Sequence, residues 1–355
     1  MASVSLAEIG LLRLVAQRIA GPRCTTVTEA VRRLTAAQAQ DYPGALTSLA
    51  LRTEDAGRKA VEAALNAGTV VRSWPMRGTL HFVAAEDLRW MLDLMARRII
   101  TGAASRRAQL ELGTETLERA RRTAVDALAG GGQLRRNELL ATWERAGIAT
   151  TGQRGYHLIG HLAQTGTLCF GPLRDSEQAL VLLDEWVPEP RTPDREEALG
   201  ELALRYFRGH GPATVKDFTR WTKLTVADAK ASLAAAQPEL EQVDVDGTRY
   251  FMDPDTPARL ESCRSGARGV FLLPGFDEYI LGYADRGAVV PAEFADQLVP
   301  GNNGMFRATV VSAGQVVGTW KRSGRGVNQT ALAAPFTSFT RRVNAAIPRL
   351  YDALP

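Results

Sequence analysis

The sequence predicts an α+β, mainly helical fold in which three tandem winged-helix units precede a C-terminal β-rich subdomain. Three observations lead there. Helical segments run into two short strands three times along the chain, the strand pairs are joined by turn residues, and the last hundred residues change to a strand-rich pattern. In the first unit, over 1–90, helical spacing marks 6–20, 27–37 and 53–67, and a hairpin follows from 69–74 and 78–83, with Arg72 and Arg77 flanking its tip. The second, 91–190, has helices over 116–129, 135–146 and 151–165 and strands at 168–171 and 179–183. The third, 191–260, has helices over 195–209, 214–222 and 226–235. Its strands, 240–245 and 248–252, close on Asp246-Gly247, a dipeptide suited to a two-residue hairpin turn. Residues 187–194, with three prolines, read as a linker. In 261–355, strands are expected at 269–274, 306–312 and 315–320, with Ala313-Gly314 at the tip of a hairpin. A helix over 337–353 carries Phe339, Val343, Ile347 and Leu350 as its apolar stripe.

The bulk composition excludes several classes. A chain of 355 residues has material for two to four cores, and 45% hydrophobic with 23% charged residues is an ordinary globular balance, so large-scale disorder is excluded. Cys24, Cys169 and Cys263 are far apart and form no CxxC, which points to a reducing, cytoplasmic setting and away from disulfides or a zinc ribbon. The stretch 6–20 is interrupted by Glu8, Arg13, Gln17 and Arg18, so it reads as an amphipathic core helix rather than an export signal. No apolar run is long enough to span a bilayer. The formal charge is +4 and nearly all the cations are arginines, whose forked guanidinium groups suit phosphate. Net charge of this size is compatible with nucleic acid without requiring it.

Gln38 and Gln40 carry the clearest chemical signal. They lie just past the helix expected over 27–37 and just before Tyr42-Pro43-Gly44, which disfavours helix in the preceding backbone. In an extended segment, residues two apart share a face, so the two amides can converge on one small target such as water. An amide is no strong base, but its oxygen accepts a proton-bearing group and can orient an attack. By themselves, amides in such a place are more commonly helix caps or turn residues.

Other polar groups have competing readings. Arg154 and His157 lie on the third helix of the second unit and, like Arg72 and Arg77, are placed to meet phosphate. His157 and His161 have the i, i+4 spacing of metal ligands, yet no zincin glutamate lies between them and no third ligand is evident, so no metal is expected. Lys321, Arg322 and Arg325 follow a strand in a Gly-containing loop, a basic hairpin fit for a DNA groove or a plain polar turn. Trp74 and Trp320 read as core, and Asp277 and Glu278 as exposed acids that bind backbone amides or join a catalytic centre.

Five stretches together resemble a known family: Leu34-Thr35-Ala36-Ala37-Gln38-Ala39-Gln40-Asp41, Leu51-Arg52-Thr53, Arg77-Gly78-Thr79-Leu80-His81-Phe82-Val83, Leu272-Leu273-Pro274-Gly275-Phe276-Asp277 and Val317-Gly318-Thr319-Trp320-Lys321. In this order, across essentially the whole chain, they resemble the winged-helix DNA glycosylases of the AlkZ type, found with biosynthesis of the crosslinker azinomycin. That resemblance implies tandem winged helices in a C-shaped body. It also implies a glutamine–aliphatic–glutamine motif at Gln38, Ala39 and Gln40, in which the two amides hold the hydrolytic water. The branch with this motif, rather than one ending in aspartate, acts on interstrand crosslinks. The resemblance therefore implies a monofunctional glycosylase without cofactor that cleaves N7-alkylguanine in double-stranded DNA as self-resistance. Such an enzyme is expected to work as a monomer, associated with the nucleoid when bound to DNA. The competing reading is a transcription regulator that uses its winged helices for sequence readout, although regulators usually pair one winged helix with a dimer or ligand domain.

Overall fold

The expected order of helices and hairpins recurs in the computed structural model, which describes residues 4–55, 57–324 and 329–355. The chain groups into two compact units, Met1–Val61 with Leu199–Pro355, and Glu62–Ala198. This grouping follows packing, whereas the four sequence segments follow element order, so the two divisions differ.

In the first of these units, a four-stranded antiparallel sheet runs in the order Thr330–Pro335, Gln315–Ser323, Ala308–Ser312, Val270–Leu273. Strand alternation sorts its side chains to two faces. Val270, Leu272 and Val310 join Trp320 and the C-terminal helix Arg341–Asp352 through Val343 and Ile347. Leu273 and Val311 instead join the main core with Ile9, Leu12 and Val15 of the helix Leu6–Ala16. The hairpin between two of these strands turns at Ala313 and Gly314, both in the left-handed region (φ 49° and 79°) that a two-residue turn requires. Gly314 lies so close to Gly10 that a Cβ on either would meet the other's backbone. The Tyr279 hydroxyl ties them, donating to Gly314 O at 2.7 Å and Gly10 O at 3.2 Å.

Helices Val215–Thr222 and Val226–Ala236 precede the hairpin Glu241–Val245/Thr248–Met252, close to expectation. Thr214 starts the first of these helices with a reciprocal cap: its hydroxyl accepts Asp217 N–H at 3.1 Å, and Asp217 accepts Thr214 N–H at 2.9 Å. The aromatic residues Tyr206, Phe207, Phe218 and Trp221 pack together here.

In Glu62–Ala198, two hairpins expected as separate wings share one sheet. Strands Thr79–Ala84, Val70–Met76, Leu168–Arg174 and Glu177–Leu182 are neighbours in that order, with Arg72 registered opposite Phe170. Behind the sheet, Ala120, Ala124 and Leu128 of Thr114–Leu128 recur every fourth residue on one helix face and pack with Trp143 and Leu158. The Trp143 indole donates to Ala120 O at 2.9 Å, so its polar edge is satisfied in the core. Helices not foreseen include Leu88–Gly102, Ala104–Gln109 and, in the other unit, Tyr42–Ala50 and Thr256–Ala267. Among the described residues no helix is long and apolar enough to cross a membrane.

Candidate active site

The glutamine pair occupies a short non-helical bridge between two helices. Val27–Leu34 begins at Thr26, whose hydroxyl accepts Glu29 N–H at 3.1 Å. It ends three residues earlier than expected because Thr35 takes a left-handed φ of 65°, which a helix cannot continue. Ala37–Gln38 is a two-residue strand, and Ala36, Ala37 and Ala39 are fully buried, so only small side chains fit around the glutamines. The next helix, Tyr42–Ala50, starts at Tyr42-Pro43-Gly44, residues expected only to disfavour helix before them. Pro43 lies in its first turn, where a missing N–H costs nothing, and Asp41 just before the helix is extended. The two amides differ in setting. Gln38 is 8% exposed and its side-chain oxygen is buried without a hydrogen bond among the described residues, whereas Gln40 is exposed.

A buried polar network holds the bridge. Asp277 and Glu278, expected to be exposed, are only 2% and 1% exposed, because Asp277 caps a helical turn that points both acids inward. The Glu278 carboxylate accepts the main-chain N–H of Gln38 at 3.2 Å and, on its other oxygen, the Trp221 indole N–H at 2.9 Å; His210 Nε2 lies 3.4 Å from that second oxygen. Asp277 takes a two-pronged pair from Arg52 at 2.9 and 2.8 Å and the Ser48 hydroxyl at 2.6 Å. Arg52 also donates to Gln17 Oε1 at 2.8 Å, and Gln17 in turn donates to Glu278 O at 3.2 Å and to the Tyr283 hydroxyl oxygen at 3.0 Å. Burial pushes the Tyr283 hydroxyl up, keeping it protonated to donate to His210 O at 2.6 Å. Charges this deep persist only when paired and hydrogen-bonded, and here they join the start of the chain to residues 210–283 around the glutamine segment.

One residue beyond Gln40, Asp41 lines a cleft of about 740 Å³ with Thr47, Phe276, Phe306, Lys321 and Arg322. Phe276 adopts a left-handed φ of 59°, a strained geometry for an aromatic residue that such sites tend to hold. With Arg307 and Trp320 also in its lining, three cations and three aromatic rings make this hollow suited to an anionic, ring-bearing polymer.

The model of the family described as DNA glycosylase AlkZ-like matches residues 31–354, spanning both glutamines, the acidic pair and the sheet. The chain belongs to the AlkZ-like DNA glycosylase family. It is thus an enzyme that hydrolyses N-glycosyl bonds in DNA. It is similar to the interstrand DNA cross-link repair glycosylase of Streptomyces sahachiroi, with 28% identity over 332 residues, 89% of this chain and 86% of that protein. The solved structure of Streptomyces sahachiroi DNA glycosylase AlkZ superposes with a TM-score of 0.80 at 25% identity, over 98% of this chain and 95% of that one.

Within this AlkZ-like glycosylase, the basic residues singled out in the sequence have distinct settings. Arg72 is mid-strand rather than at the hairpin tip: it donates to Gln178 at 3.1 Å and its guanidinium lies 5.2 Å from the Phe170 ring centre. Arg77 does sit at the turn, 2.8 Å from His81 Nε2. Arg154 donates to the carbonyls of Ala149 and Leu110, which turns its fork inward. His157 is half-buried, and burial with Arg106 and Arg107 holds its pKa below the usual value. Lys321 and Arg322 are exposed at the end of their strand, and Arg325 lies outside the described residues. Trp74 and Trp320 are buried, as expected of core residues. The clamp of Glu278, Trp221 and His210 was not identified from the sequence. Its one local sign is a pair of acids directly after Pro274-Gly275-Phe276, in a segment otherwise rich in apolar residues.

Proposed function

We propose that this AlkZ-like glycosylase is monofunctional, hydrolyses the N-glycosidic bond of N7-alkylguanine in double-stranded DNA, and unhooks interstrand crosslinks. The observation that carries the reading is Gln38, a buried carboxamide whose oxygen has no hydrogen-bond donor among the described residues, on a segment tied down by a carboxylate. Such an oxygen accepts a hydrogen bond from water and can aim it. Gln40, exposed two residues on, supplies the second contact.

Alkylation at N7 makes guanine a cationic leaving group. The C1′–N9 bond breaks with its electron pair moving to the base, which becomes neutral, and the sugar becomes oxocarbenium-like. The oxygen of water then bonds C1′ and its proton passes to solvent. The protein needs to place water and favour the cation rather than force the bond, so neutral amides suffice. An unmodified nucleoside lacks the charged leaving group and is not cleaved. A crosslinked base cannot swing freely from the duplex, so approach from a groove is required.

The segments 1–90, 91–190 and 191–260 act as tandem winged helices on the duplex, braced by 261–355, with Arg77, His157, Lys321, Arg322 and Arg325 as phosphate contacts. Arg72 and Arg154 are further proposed phosphate contacts. The named function of the Streptomyces sahachiroi relative, crosslink repair, supports the substrate class, and the biological use proposed for this glycosylase is self-resistance to a DNA-alkylating natural product. Incubation with duplex DNA containing N7-methylguanine tests the reading. Free base is expected, with release falling sharply in Gln38→Ala and Gln40→Ala. Sequence-selective binding without release would leave a regulator instead.

A further inference from the structure

Gln38 lies on a two-residue strand with its side chain nearly buried, so the place its backbone is held sets where its amide starts from. The side chains of the neighbouring alanines offer packing alone. A directional contact comes from Glu278, whose Oε1 accepts the Gln38 main-chain N–H. A carboxylate can make this bond and take the Trp221 indole N–H with its second oxygen at the same time, since both its oxygens only accept. The ring of His210 reinforces the second oxygen and is itself stacked on Tyr206 at 4.6 Å between ring centres, so the carboxylate is gripped from a rigid aromatic cluster. The Glu278 carbonyl is fixed separately by Gln17. Each of these contacts reduces the residue's freedom.

We infer that Glu278 is a positioning residue for the reaction: its buried carboxylate, oriented by Trp221 and His210, sets the place of the Gln38 amide. This rests on the reading of Gln38 as a water-holding residue. Replacing the carboxylate with an amide keeps its size but gives one end N–H groups, which must then face either the Gln38 N–H or the indole N–H. One of those donors loses its acceptor, and Gln38 or the indole beneath it shifts.

The test is a double-mutant cycle on single-turnover release of N7-methylguanine by the full chain, with duplex affinity measured alongside. Glu278→Gln is expected to slow release about tenfold, the factor matching loss of one hydrogen bond to a charged group, with duplex affinity retained. In a Gln38→Ala background, the same change is expected to alter the rate by less than about twofold, because the residue it acts through is gone. Equal losses in both backgrounds, or a wild-type rate in Glu278→Gln, would overturn the inference. A wild-type rate in Gln38→Ala would instead overturn the reading of Gln38 itself, so the two failures are distinct. Should Glu278→Gln not fold, Trp221→Phe takes its place in the same cycle. It leaves the carboxylate and removes one group that orients it, and a rate loss present only when Gln38 is present is again the expected result.

Discussion

Glu278 accepts the main-chain N–H of Gln38 across 240 positions of sequence. The contact links the glutamine–aliphatic–glutamine bridge to the acidic pair that follows Pro274-Gly275-Phe276. Because Asp277 beside it is locked by Arg52 and Ser48, the bridge is attached to a part of the fold that cannot yield without breaking a buried ion pair.

Arg52 and Asp277 are 1% and 0% exposed at their side chains, so removing one leaves the other charged and unsolvated. Arg52→Ala is expected to lower unfolding free energy by about 3–5 kcal/mol. Urea denaturation measures it, and a loss below 1 kcal/mol would show that water reaches Asp277.

Gly10 sits against the Gly314 carbonyl inside a helix where alanine would otherwise be favoured. Gly10→Ala is expected to destabilise by about 1–3 kcal/mol through overpacking. Gly102, at an exposed helix end with open space around it, is the control, and Gly102→Ala is expected to be neutral or slightly stabilising. Thermal melts of the two variants should therefore move apart, and equal shifts would refute the close approach.

Burial, with Arg107 nearby, lowers the His161 pKa to about 4, and its Nδ1 is buried without a partner among the described residues. The folded state thus favours the neutral ring, while the unfolded chain takes up a proton near pH 6.5. The stability due to this residue is full above about pH 6.5 and is lost as pH falls from there towards about 4, below which both states are protonated. His161→Asn is expected to flatten the melting temperature against pH within this window. An unchanged slope would mean that other groups carry the acid sensitivity.

Lys321 and Arg322 are exposed where their strand ends beside the cleft. If they neutralise phosphates, the plot of log affinity against log salt should become shallower by about 0.9 for each one replaced with alanine. Fluorescence anisotropy with a duplex over a salt series reads this slope, and an unchanged slope would remove them from the DNA surface.

Local pattern made much of this architecture legible. The hairpin at Asp246-Gly247 and the strands around Ala313-Gly314 lie close to their expected places, because turn residues and period-two alternation are local signals. Tyr42-Pro43-Gly44 marked only the end of helical geometry before it, yet it also opens a helix, since proline serves equally as a helix breaker and a helix starter. Arg72 read as a tip residue and lies mid-strand against Gln178, a partner 106 residues away that no local pattern indicates.

The sequence by itself determined the hairpins and most of the helices that lead into them, the non-helical setting of Gln38 and Gln40, and the family, all of which reside in short stretches of residues. Only the tertiary structure decided that Gln38 is buried while Gln40 is exposed, and that Asp277 and Glu278 lie inside. Burial of a carboxylate depends on donors brought from distant parts of the chain. Arg52, Trp221 and the Gln38 amide become its partners only once the core has closed around them.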